Sequence, residues 1–162
     1  MESRTKLFGH AVHPMLVVFP LGLLGTAVVF DVIRLATGNG YWSEIAFWMM
    51  AAGILTGLVA APFGALDWIA IPSGTRASRI GFLHGVGNVI VLALFALSWW
   101  FRRDAPGVPD MMALTMSFLG FFLALVTGWL GGELVDRLGV GVDEGANVDA
   151  PSSLTHRRAI RG

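Results

Sequence analysis

Four apolar runs, at residues 14–33, 44–66, 80–101 and 111–132, constrain this chain more than any other feature. Each can cross a bilayer as a helix, which takes about 20 residues at ~1.5 Å of rise each. Turn-forming segments separate them: Gly38-Asn39-Gly40, Pro72-Ser73-Gly74 and Ala105-Pro106-Gly107-Val108-Pro109. Trp42, Trp48, Trp68, Trp99 and Trp100 stand near the run ends, where an interfacial aromatic belt belongs. The sequence predicts an all-α, integral membrane four-helix bundle.

Composition agrees. Of 162 residues, 55% are hydrophobic and only 14% charged, whereas a soluble domain carries about 25% charged residues. Formal net charge is zero, so no global field favours nucleic acid. Cysteine is absent, which excludes disulfides, thiolate metal sites, iron–sulfur ligation, covalently attached haem and cysteine nucleophiles. Arg4 and Lys6 precede the first run as in a secretory signal, but the run is too long for a signal core and reads as a retained first helix. Residues 1–13 are then an interfacial lead-in, 14–142 the membrane domain, and 143–162 a polar, disordered tail with His156, Arg157 and Arg158. No convincing tandem repeat is visible.

Four spans put both termini on one side. Arg4, Lys6, Arg76, Arg79 and Arg137 lie there, against Arg34, Arg102 and Arg103 opposite, and this excess assigns the termini to the cytoplasm. The titratable groups gather on the same side. His10 and His13 lead into the first span, Asp67 ends the second, His84 lies about one turn inside the third, and Glu133 ends the fourth. Ionisable groups at a membrane boundary are functional candidates by default.

Three chemistries could use this cluster. A b-type haem held by histidines on facing helices would take His84 with His13 or His10; Gly81 and Gly85 would give a flat macrocycle room, and Asn88 lies one turn from His84 on the same face. Pro14 biases His13 away from helical geometry, and His84 would then lie about 6–8 Å deeper than His13. A single transition-metal ion would draw on His10, His13, His84, Glu133 and Asp67, although no HExxH or ExxH spacing is present. A proton relay ranks last, since Asn88 is the one clearly polar candidate deeper inside.

Each residue also has a plain structural reading. His10 would sit among headgroups, His13 would cap its helix, and His84 would bond Asn88, Asp67 or Glu133 to hold helices together. Asp67 would pair with Arg76 or Arg79, Glu133 with Arg137, and Asp31 with Arg34 as a local ion pair at the headgroups.

Several motifs together resemble a known family. They are Gly9-His10-Ala11-Val12-His13-Pro14 with Phe19-Pro20, then His84-Gly85, Gly128-Trp129-Leu130-Gly131-Gly132-Glu133-Leu134-Val135, and Gly139-Val140-Gly141-Val142. The family is the bacterial predicted inner-membrane proteins grouped as domain of unknown function 2231, and the resemblance reaches Val142. It implies an inner-membrane location, a fold similar to small four-helix b-type cytochromes, and importance for His10, His13, His84 and Glu133. Some relatives are joined to a Rieske-type iron–sulfur domain, which implies electron transfer. This chain departs in having Ala11-Val12 between the histidines, and it has no iron–sulfur ligands, so such a partner would be a separate protein.

The expectation is a membrane protein that binds haem b at its cytoplasmic end, or failing that a metal ion or no cofactor. It would serve electron transfer as a binding subunit rather than a stand-alone enzyme. Its partners would be the lipid bilayer and a redox protein, with no nucleic acid, and a homo-oligomer is compatible with this. The competing expectation is a non-catalytic subunit or scaffold whose histidines and glycines pack helices or dock a partner.

Overall fold

A computed structural model describes residues 1–154. It contains helices α1 (Val12–Thr37), α2 (Tyr41–Ile69), α3 (Arg76–Phe101) and α4 (Met111–Gly132), the last running into a π-helical turn at Glu133–Arg137. All four are long and apolar enough to cross a membrane. Short connections make successive helices antiparallel. The tightest packing is α1 on α2 and α3 on α4; α2 on α3 and α4 on α1 complete the ring, leaving α1 and α3 diagonal. Strands β1 (Lys6–Leu7) and β2 (His10–Ala11) form a small antiparallel pair ahead of α1.

Local chemistry sets the helix ends. The Thr75 and Asp110 side chains accept the backbone N–H groups of Ser78 and Ala113, capping α3 and α4. Gly38, at φ 69°, ends α1 by donating its N–H to the Arg34 carbonyl. α1 begins at Val12, so His13 lies in the helix's first turn. Pro14 falls in the first turn, where a missing N–H has no intrahelical partner to lose.

Leu24, Ala27, Val28, Ala46, Met50, Val91 and Phe95 form the core. Leu21, Leu55, Val89 and Phe122 point outward, as side chains solvated by lipid should. Residues 143–154, expected to be disordered, make specific contacts with the N-terminal segment. Lys6 faces Asp143, the Glu144 N–H reaches Glu2, and Ser153 lies 3.2 Å from His10. His156, Arg157 and Arg158 lie outside the described residues.

The expected Asp31–Arg34 pair does not form. Asp31 shares the inward face of α1 with Leu24, Ala27 and Val28, and it pairs with Arg102 across the bundle. Both side chains are fully buried. Arg102 Nη1 donates to Asp31 Oδ1 at 2.8 Å and Nη2 to Oδ2 at 3.1 Å, the two-pronged geometry that suits guanidinium and carboxylate. Ser43 and Ser117 donate to the carboxylate at 3.4 and 3.2 Å, and Ser98 accepts from Arg102 at 2.9 Å. A charge in this setting persists because its partner and most of its hydrogen bonds are supplied, with Arg102 Nε alone of the guanidinium nitrogens left without an acceptor among the described residues.

Asp31 and Arg102 hold matching positions in two similar halves, α1–α2 and α3–α4. A Cβ on Gly53 would fall 2.6 Å from Leu24, and one on Gly120 would fall 2.9 Å from Phe95. His13 bonds the Ala60 carbonyl and rests against Gly64; His84 bonds the Thr127 carbonyl and rests against Gly131. Matching residues of α1 and α3 are 71 positions apart: His13 and His84, Leu24 and Phe95, Asp31 and Arg102. Those of α2 and α4 are 67 apart: Gly53 and Gly120, Ala60 and Thr127, Gly64 and Gly131. Such a parallel repeat is a known architecture of membrane proteins.

Arg102→Ala should cost about 3–5 kcal/mol by stranding a buried carboxylate. The double change Asp31→Leu with Arg102→Leu should recover most of that loss. Denaturant unfolding in detergent checks both, and equal losses would show that charge stranding is not the cause.

Candidate functional site

The two histidines sit at the same depth. Asp31 follows His13 by 18 residues, and Arg102 follows His84 by 18. Eighteen helical residues make about five turns, or ~27 Å. α1 and α3 run in the same direction and are levelled at the far end by the ion pair, so both histidines return to one level at the near end. The 6–8 Å offset expected from sequence is absent because α1 starts at His13's own turn, whereas α3 starts at Arg76, about two turns before His84.

Each imidazole is held in the same way. His13 Nδ1 lies 3.0 Å from the Ala60 carbonyl, and His84 Nδ1 lies 2.8 Å from the Thr127 carbonyl. A carbonyl only accepts, so both Nδ1 atoms carry a proton, and in the neutral ring the lone pair then sits on Nε2. Glycine on the facing helix permits the approach. A Cβ at Gly64 would fall 2.7 Å from His13 Cε1, and one at Gly131 would fall 3.0 Å from His84 Cε1.

The lone pairs differ in their surroundings. Asn88 Nδ2 donates to the unprotonated His84 Nε2 at 3.0 Å, and its Oδ1 lies 2.9 Å from the Thr127 hydroxyl, whose one proton is shared between Asn88 and the Ala124 carbonyl. Thr127 therefore holds His84 through its carbonyl and Asn88 through its hydroxyl. The matching position in the first half is Val17, which offers no such donor. His13 Nε2 has no hydrogen-bond partner among the described residues.

The other expected site residues are spread out. His10 meets Ser153. Asp67, expected to meet Arg76 or Arg79, lies 2.7 and 2.9 Å from the Ser3 hydroxyl and accepts the Arg4 N–H at 2.9 Å, tying the N-terminal segment over the bundle. Glu133 pairs with Arg76 and not Arg137, since it ends α4 beside the start of α3. Gly81 seats Trp68, and Gly85 faces open space. Among the described residues, no three of His, Asp and Glu gather as a metal-ion site would require. Sequence reading missed the anchoring roles of Ala60, Gly64, Thr127 and Gly131; a small residue four positions before a glycine marks them, a spacing that also occurs at Gly53–Gly57 in α2 and at Ala124–Gly128 and Gly128–Gly132 in α4.

These features define a four-helix integral membrane protein with two matched, backbone-tethered histidines at one end. The chain belongs to the DUF2231 family of predicted membrane proteins, whose model matches residues 9–144. No curated protein and no solved structure matches it.

Gly64→Ala should push the His13 ring off the Ala60 carbonyl and leave His84 in place. Nitrogen-15 NMR of the imidazoles checks this, with His13 expected to lose its single-tautomer signature and His84 to keep it.

Proposed function

We propose that His13 and His84 are the two ligands of a b-type haem and that this bacterial inner-membrane protein serves electron transfer. One observation carries the reading: two imidazoles on diagonal helices, at one depth, each with Nδ1 tied to a carbonyl and Nε2 left as the ligating atom. The haem would supply a one-electron iron couple. The Ala60 and Thr127 carbonyls orient the rings and raise the basicity of Nε2. Gly64 and Gly131 let each ring lie against a helix backbone. A donor set of two imidazoles suits haem better than a bare ion, which normally takes four or more protein or water ligands.

The two ligands differ in readiness. His13 is open, while His84 is capped by Asn88 and must be released before it can ligate. His13 would thus be the readier ligand, and His84 would join it only with the Asn88 amide turned away from Nε2. Electrons would pass to a separate redox protein, the Rieske type being the one the family resemblance implies.

Titration of the purified protein with haemin should give a Soret band saturating at one equivalent, with a low-spin spectrum. His84→Ala should leave a five-coordinate, high-spin species that binds carbon monoxide, and His13→Ala should abolish tight binding. Asn88→Val removes a hydrogen bond worth about 1 kcal/mol and should raise haem affinity about fivefold. A Soret band that stays that of free haemin, with neither shift nor saturation, would overturn this reading in favour of a scaffold whose histidines pack helices.

A further inference from the structure

A second site lies at the same end of the bundle, on its lipid-facing surface. The last turn of α2 and the first turns of α3 enclose a groove of about 410 Å3, lined by Trp68, Ser78, Arg79, Phe82 and Leu83. Its wall is built. Trp68 Nε1 donates to the Ser78 carbonyl at 3.0 Å, its ring leans on Phe82 at 5.9 Å, and a Cβ at Gly81 would fall 2.7 Å from Trp68 Cδ1. Gly81 thus seats the indole.

Charge decides the occupant. Arg76 is neutralised by Glu133, whereas Arg79, one turn along α3, has no ion pair among the described residues and is exposed. Arg79 lies at the terminal level of the helices, where headgroups run, and Phe82 and Leu83 follow it toward the hydrocarbon. A cation at headgroup level above an apolar groove complements an amphiphile with an anionic head. We infer that this groove binds one anionic phospholipid, with the phosphate on Arg79 and the Ser78 hydroxyl and an acyl chain along Trp68, Phe82 and Leu83. The site is independent of haem binding.

The full-length protein, reconstituted in nanodiscs of phosphatidylglycerol and phosphatidylcholine in equal parts, provides the test. Native mass spectrometry should show one retained phosphatidylglycerol in preference to phosphatidylcholine. Arg79→Gln should reduce that preference about fivefold, the scale expected for one basic residue at a charged surface. Gly81→Val should weaken retention by displacing Trp68 while leaving Arg79 in place. Arg103→Gln, at the opposite end and stacked on Trp100, should leave the preference unchanged. Inorganic phosphate at millimolar concentration should not compete, because it lacks the acyl chain. Equal retention by the wild type and Arg79→Gln would overturn the inference, as would an equal loss in Arg103→Gln or displacement by phosphate alone.

Discussion

The level of everything in this bundle depends on one buried ion pair. Asp31 and Arg102 are fully buried where neither water nor headgroups can share their charge, and each would be expensive alone. Their mutual geometry, with three serines in attendance, leaves little freedom for α1 to slide along α3. A slip of one turn would move the carboxylate about 5.4 Å from the guanidinium. The apolar contacts around Leu24 and Phe95 tolerate small shifts far better, because lipid and protein interiors are nearly equivalent surroundings for a hydrocarbon side chain. Polar pairing, more than burial, therefore fixes the register.

That register explains why the histidines meet at one level. The charge pair and the histidine pair lie about five turns apart on the same two diagonal helices. The intervening residues approach α2 and α4 through glycines, at Gly53 under Leu24 and at Gly120 under Phe95. Close approach at these points keeps each pair of antiparallel helices stiff. An arrangement fixed at the ion pair is thereby transmitted to the imidazoles without any direct contact between them.

Much of the fold was legible in the sequence, and the reason is physical. Apolar runs of bilayer length, broken by glycine and proline, admit few alternatives. The site was only half legible. His13 and His84 stood out because histidine is conspicuous beside a hydrocarbon layer, but their anchors did not. Ala60 and Thr127 act through backbone carbonyls that every residue possesses, and Gly64 and Gly131 act by lacking a side chain. Asp31 was misassigned because Arg34 lies one turn away in sequence, while Arg102 is adjacent only after folding. The repeat was hidden for a related reason. Several matched positions carry different residues, Leu24 with Phe95, Ala60 with Thr127 and Asp31 with Arg102, so the likeness lies in contacts.

The departures from symmetry are where the two halves acquire separate roles. At one end the matched pair is Asp and Arg, which attract, where two copies of either would repel. The difference therefore makes the two halves complementary partners. At the other end the matched pair is His and His, equal as donors and equally tethered, but Asn88 stands over one and Val17 occupies its counterpart's place. One Nε2 thus has no protein partner among the described residues while the other is met by a single amide, so equal tethers at Nδ1 leave the two imidazoles chemically unequal at Nε2.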